Sequence, residues 1–439
     1  MSTLRTSALV MTILIGGTVA AVQPAAAQDP QADFARELAA LRAEVARLRT
    51  EVDALKGGGG APAAAQAAPS EMLESQVAEL AQVKVESSTR FPVRLFGTIH
   101  ASVFANSGVA NWMDNPNLVG APPADGQTGT MSASLRQTRI GFLSDGPALG
   151  SFRTNAVVAM DFFGGIPGFQ TGQVMGLPRL LVAFARIEND RTAVEIGQDH
   201  MILAPRDPSS LAAFSFPLLF RAGNLYLRVP QVRIEQKLAS RLRATAGIVA
   251  PVAGDLTGEA YAFVPPALSG ERSRRPGVQA RVAYVAGDAD STRLVDIGVS
   301  GHTGWERRGD SLARSWAAAL DASARRDVIG VAGEFFLGDN MDAFGGATGL
   351  DARSGGGWGE LQIYPTQRLS FVAGAGVDEL RDARKNSLAR QRNRSAFGNI
   401  TFSITPELQT AFEYRLLRTR AGGVDRSNQH FDWVFIHKF

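Results

Sequence analysis

The sequence predicts an all-β fold, a transmembrane antiparallel β-barrel of about sixteen strands, preceded by a short N-terminal coiled-coil helix. Three observations carry that expectation. From Phe91 onward apolar and polar residues alternate with period two, as they do in strands, whose successive side chains point to opposite faces. The connections between these stretches are tight in some places and long in others, as at the two ends of a membrane barrel. The stretch HFDWVFIHKF sets Phe431, Trp433, Phe435, His437 and Phe439 on one face. In water such an apolar edge invites aggregation, so an apolar medium must receive it.

The first element is a leader. Arg5 precedes an apolar run over 8–22, followed by Pro24 and Ala25-Ala26-Ala27, the charged, apolar and small-residue regions of a secretory signal. Residues 1–27 are therefore expected to be a cleaved signal peptide. The run is short for a membrane span and is broken by Gly16 and Gly17. Next, Leu38, Val45 and Val52 alternate with Phe34, Leu41, Leu48 and Leu55 as the a and d positions of heptads. Arginine and glutamate lie between them, which predicts a self-associating coiled coil over 31–56. The stretch 57–69, GGGGAPAAAQAAP, reads as a flexible linker, and Met72, Leu73, Val77, Leu80 and Val83 mark a short helical segment over 70–90.

The remainder, 91–439, reads as the barrel. In PGVQARVAY (276–284) one face is Val278, Ala280, Val282 and Tyr284, and the other is Gln279, Arg281 and Ala283. A soluble sandwich has strands of the same kind, but this run is long for one sandwich. Allowing about twenty-two residues for each strand with its share of turn and loop gives about sixteen strands. Tight connections fall at Asp145-Gly146-Pro147, Asn189-Asp190, Ala239-Ser240 and Thr405-Pro406, and long polar ones at 107–131 and 254–275. Tyr284, Tyr364, Tyr414 and Trp433 stand where interfacial aromatic girdles are expected.

Composition excludes several functions. There are no cysteines, hence no disulfide framework and no thiolate metal site. The net charge of +3 gives no nucleic-acid signature. The five histidines form no metal-ligand spacing, and no nucleophile or nucleotide motif occurs. Ser300 with His302 is the one tempting pair, and both read as lumen-lining. No enzyme, metal or cofactor is expected. Of the 45 basic residues only five are lysine, and arginine's planar, permanent charge suits carboxylate and phosphate.

With the apolar face outward, the inward set includes Arg139, Arg233, Arg241, Arg243, Arg281, Arg415, Asp321, Glu334, Glu360 and Glu413. A charge facing lipid at mid-depth costs about 2–4 kcal/mol, so these are expected in the water of a channel, with arginines drawing anions through. The apolar stretch 201–223, with Pro205, Pro208 and Pro217 and the charges Arg206, Asp207 and Arg221, is expected to fold inward as a constriction, because a barrel of this size is otherwise open.

The order RQTRIGF (136–142), GQDH (197–200), FPLLFRAGNLYLRVPQVRI (216–234), GEFFLGDN (333–340) and GGWGELQIYP (356–365), with Phe439, resembles the DcaP-like porin family over most of 91–439. The resemblance implies a trimeric, sixteen-stranded outer-membrane channel of a Gram-negative bacterium, favouring small anionic solutes such as dicarboxylates. It puts Arg139, Arg228, Gln231 and Arg233 at motif positions, with Arg228 and Arg233 as anion contacts. His200 and Met201 depart from the family pattern. Phe431, Trp433, Phe435 and Phe439 resemble the signal read by the barrel-assembly machinery, with His437 where tyrosine is usual. The partners expected are a second and third copy of the chain, outer-membrane lipid, that machinery and small anions, with no nucleic acid. The alternatives are a phosphate- or sugar-selective channel, or a barrel that tethers the envelope.

Overall fold

The alternating stretches form strands, and the strands form a closed ring. A computed structural model describes residues 93–165, 176–252, 267–287, 293–347, 353–382 and 390–439. The chain divides into two units, Met1–Val85 and Glu86–Phe439, and all described residues belong to the second. The expected signal peptide (1–27), linker (57–69) and short helical segment (70–90) lie outside the described residues.

In chain order the strands are β1 (Val93–Asn106), β2 (Thr130–Ser134), β3 (Arg139–Asp145), β4 (Arg153–Asp161), β5 (Arg179–Glu188), β6 (Thr192–His200), β7 (Arg228–Lys237) and β8 (Leu242–Val249). They continue with β9 (Gly277–Ala286), β10 (Arg293–Arg308), β11 (Ser311–Arg326), β12 (Ile329–Asp339), β13 (Arg353–Ile363), β14 (Leu369–Leu380), β15 (Arg390–Ser403), β16 (Leu408–Ala421) and β17 (Val424–Lys438). From β3 onward each strand pairs antiparallel with its successor, and β17 pairs with β1. β2 and β3 both pair with β1, at 102–106 and 93–98. They are two pieces of one stave, interrupted at 135–138, so the ring has sixteen staves. Closure leaves no strand edge, which is what lipid demands of a β structure.

The expected coiled-coil helix is corrected. Among the described residues no helix reaches seven residues; α1 (Ser269–Arg272) has four, because the patterning there is of period two and gives no helical stripe. The 31–56 segment itself lies outside the described residues, and the fold class of the described residues is that of the barrel.

Tight turns gather at one end, at 189–191, 238–241 and 404–407, and long connections at the other, at 107–129 and 201–227. The separation is not strict. The long end also has two hairpins, after β10 and after β16, where Gly309, Gly422 and Gly423 take φ of 57°, 57° and 78°, a region glycine enters without cost.

Strand parity decides which side chains face inward. On β17, Phe431, Trp433 and Phe435 stay on the exposed outer face, while Asn428, His430, Asp432, Val434 and Ile436 are buried inside. Outer rings pair across strands: Phe412 stacks on Trp433 with centroids 5.8 Å apart, and Tyr414 lies 4.9 Å from Phe431. Phe439 extends the pairing, with its N–H donating to Gly97 O at 3.1 Å and its carbonyl accepting Gly97 N–H at 2.9 Å. Its ring lies over Gly97, where a Cβ would stand 2.4 Å from the ring edge. Only glycine admits that approach.

Candidate functional site: the lumen and its in-folded segment

Residues 201–227, between β6 and β7, run along the inner wall. Their prolines withhold three amides from any helix or strand, and the remaining polar groups are met by strand side chains. Ile202 N–H and Leu203 N–H donate to Gln279 Oε1 on β9 at 2.8 and 3.1 Å, and Ala204 N–H donates to Ser300 Oγ on β10 at 3.2 Å. Arg206 N–H donates to Glu334 on β12 at 2.7 Å. Ser209 gives both its N–H and its hydroxyl to Glu360 on β13 at 2.9 and 2.8 Å, and Ser210 Oγ donates to Glu413 on β16 at 2.5 Å. Leu211 O meets His100 Nε2 on β1 at 2.8 Å.

Gln137, in the break between β2 and β3, then clamps the segment. Its Oε1 accepts Phe214 N–H and Ser215 N–H at 2.7 and 2.9 Å, and its Nε2 donates to Ala212 O at 2.7 Å. The break frees this amide to point inward. Apolar contacts complete the seal: Met201, Leu203, Ala204 and Leu225 pack with Ala317, Ala319 and Phe336 of the wall, and Ala212 packs with Val434 and Ile436. A fully buried side chain of leucine or methionine size contributes about 1.5–3 kcal/mol. Ala204, Leu219 and Arg221 hold φ of 46°, 61° and 65°; such strain persists only where its surroundings over-determine it.

This packing corrects the expectation that the lumen charges stand in water. Asp321, Glu334 and Glu413 are only 1%, 5% and 4% exposed, because the segment displaces solvent and supplies their partners. Asp321 receives Arg206 Nε at 2.8 Å and Arg281 Nη2 at 2.5 Å, and Asp296 joins both arginines. Glu413 also takes Arg415 Nε at 2.5 Å. Asp432 is likewise buried.

The sequence-selected arginines divide into three sets. Arg233 is matched by Glu195, Asp199 and Glu235 at 3.0, 2.9 and 3.2 Å, and Arg281 by the two aspartates above. Gln231 spends its amide on Asp199 O and His200 O at 3.1 and 2.8 Å, so it shapes the β6 end. Arg243 is inward but exposed beside Lys237 at the tight-turn end, away from the in-folded segment. Asp207 lies 3.6 Å from His200 Nε2.

Arg139, Arg221 and Arg228 form the third set. Among the described residues no carboxylate lies within salt-bridge reach of these three. Arg139 donates to Phe214 O and lies 3.8 Å over the Phe214 ring. Arg228 Nε donates to Tyr226 Oη at 2.6 Å, and Arg221 lies 5.3 Å over Phe220.

Arg179, which the strand pattern did not single out, joins them over Phe216 at 4.5 Å while bonded to Asp161 at 2.6 Å. A cavity of about 280 Å³ is lined by Trp112, Arg179, Phe216, Phe220, Arg221 and Arg228. Burial raises the pKa of the Tyr226 phenol, opposed by the positive charges of Arg228, Arg179 and Arg139. Burial, with repulsion from Arg390, lowers Arg221 to about 10, so it stays charged at neutral pH. Strand parity could not find the rings, since they come from connections; the interleaving of aromatic and arginine in FPLLFRAGNLYLR was the available signal.

Ser300 and His302 do not assemble as a catalytic pair. The Ser300 hydroxyl is taken by Ala204 N–H, and the His302 ring lies 4.8 Å from Phe344. Among the described residues no group of three or more histidines and carboxylates is arranged to hold a metal ion.

No protein-family model matches the chain, and no curated protein matches it either. Solved structures do. The outer membrane channel DcaP of Acinetobacter baumannii superposes with a TM-score of 0.63 at 15% identity, over 80% of this chain and 97% of that one. An anion-selective porin from Comamonas acidovorans gives 0.53 at 13%, over 80% and 100%. OmpF of Salmonella typhi gives 0.54 at 11%, over 79% and 97%. The likeness is one of architecture: this chain folds as a sixteen-stave barrel of the kind found in outer-membrane porins.

Proposed function

We propose that the chain is an outer-membrane porin through which small anionic solutes, dicarboxylates among them, diffuse past an arginine-walled constriction formed by the 201–223 segment. The observation that carries this reading is a subtraction. The segment occupies Glu334, Glu360 and Glu413 with its own amides and hydroxyls, and covers them. Arg139, Arg221 and Arg228 keep their charge without a carboxylate. The field left for a solute is positive, although the barrel's total charge is nearly balanced. Fixed positive charge at a narrow point favours anions, and adjacent guanidinium forks suit a solute with two carboxylates.

Within this reading residues 1–27 are the export leader, β17 is the strand read by the barrel-assembly machinery, and the barrel works as a homotrimer in the outer membrane of a Gram-negative bacterium. The outer aromatic face of β17 and the resemblance in sequence order support these parts.

The sugar-selective alternative draws on the ring cluster, where Trp112 lies 4.5 Å from Phe216 and 5.3 Å from Phe163. Guanidiniums already lie over two of these three rings, Arg136 over Phe163 at 4.2 Å and Arg179 over Phe216 at 4.5 Å. A fixed positive charge therefore borders two of the rings on which a sugar would stack, which favours the anion. Proteoliposome uptake tests the choice: a short dicarboxylate should enter several-fold faster than a neutral sugar of similar size. Equal rates, or faster entry of the sugar, would remove the reading.

A further inference from the structure

On the outer wall a different arginine cluster stands above a groove. Arg394 on β15 is directly opposite Arg418 on β16, and both side chains are exposed. Like charges directly opposite in a sheet repel. The next pair toward the long-connection end, Arg392 and Arg420, is also cross-strand, but Glu379 answers Arg392 at 3.9 Å and Asp425 answers Arg420 at 3.2 Å. Among the described residues no carboxylate lies within salt-bridge reach of Arg394 or Arg418. Arg381 borders the same place.

Beneath the arginines lies a groove of about 750 Å³, floored by Gly357, Gly359, Ala375, Ala396 and Leu416 and walled by Phe335. Outward positions elsewhere on these strands carry Leu361, Phe371, Ile400 and Phe412, so the groove is a local loss of side-chain bulk. Backbone crowding does not force glycine at 359, where a Cβ would meet nothing nearer than 3.9 Å. The apolar floor suits an acyl chain, and two arginines on directly opposite positions of neighbouring strands suit a dianion, each fork offering paired donors to phosphate oxygens.

We propose that the outer face of β13 to β16 binds a membrane lipid whose headgroup is a phosphate monoester, with the phosphate between Arg394 and Arg418 and an acyl chain along the glycine–alanine groove. The proposal rests on the barrel being embedded in a membrane and not on what the lumen conducts. Bound phosphate replaces the missing carboxylates and converts a repulsive cross-strand pair into a bridged one. It fixes lipid to the wall at the end where the long connections emerge.

The full-length folded protein in phosphatidylcholine nanodiscs doped with phosphatidic acid provides the test, read by native mass spectrometry. The wild type should retain phosphatidic acid over phosphatidylcholine. R394A/R418A should weaken that retention on the order of tenfold or more, and R394K/R418K should keep part of it. A375L fills the groove with both guanidiniums intact and should also lose the lipid, which guards against a fold defect in the arginine variant. Retention by R394A/R418A equal to wild type, or no preference for phosphatidic acid in the wild type, would overturn the proposal. So would disulfide-linked dimers of A396C, because the protein has no cysteine of its own and such a link would mean that a second copy covers the groove. A barrel that binds the lipid but conducts no anions would remove the porin reading and leave this one standing.

Discussion

An arginine's neighbours, more than its position on a strand, decide what it can do. Arg233 and Arg281 point into the barrel as their strand parity requires, yet each is matched by carboxylates. Arg228 stands against the Tyr226 hydroxyl. Arg228→Gln should therefore lower the anion-to-cation permeability ratio on the order of a few-fold, and Arg243→Gln, at the tight-turn end away from the in-folded segment, should change it far less; bi-ionic potentials would register both. A difference in pH dependence follows from Arg221. Its lowered pKa of about 10 leaves the guanidinium charged below that value, so anion preference should persist at about pH 9, where a field built on histidine would have vanished. Reversal potentials recorded from neutral to alkaline pH would show a loss only as pH approaches that range.

The in-folded segment shows where sequence reading stops. Its length, its prolines and its apolar content were legible, and they predicted inward folding. Its path was not: Ser210 meets Glu413 across 203 positions and Ser209 meets Glu360 across 151, and no local pattern encodes such partners. For the same reason Asp321, Glu334 and Glu413 read as wet lumen carboxylates when they are covered anchors. The 135–138 break was equally hidden, because RQTR continues a strand in pattern while its Gln137 leaves the ladder to hold the segment. Removing anchors tests their role. S209A/S210A should remove one hydroxyl donor each from Glu360 and Glu413, which keep the Ser209 N–H and Arg415, at about 1.5–3 kcal/mol for each hydrogen bond to a charged group that is lost. Single-channel traces should then show higher, noisier conductance with weaker anion preference. Q137A should loosen the segment from the opposite side with a similar increase in noise.

At the scale of the molecule, closure was the most legible feature. Period-two alternation separates inside from outside on every stave, and the outer rings of Phe431, Trp433 and Phe435 stand where that alternation puts them. The ring closes where β17 meets β1, and there Gly97 accepts the Phe439 ring. Gly97→Val would set side-chain carbon where the ring and Arg139 O now lie, within 2.4 and 2.8 Å, so the yield of compact, heat-modifiable barrel on gels should fall. In the proposed reading the whole works as a neutralised wall with a cationic narrow point: carboxylates are spent on holding the segment, and Arg139, Arg221 and Arg228 keep their charge without one. The most direct measurement is the reversal potential of the folded full-length protein in a planar bilayer under a potassium chloride gradient. The account predicts open channels whose reversal potential has the sign of the chloride equilibrium potential. A potential of the potassium sign, or no conductance at all, would contradict it.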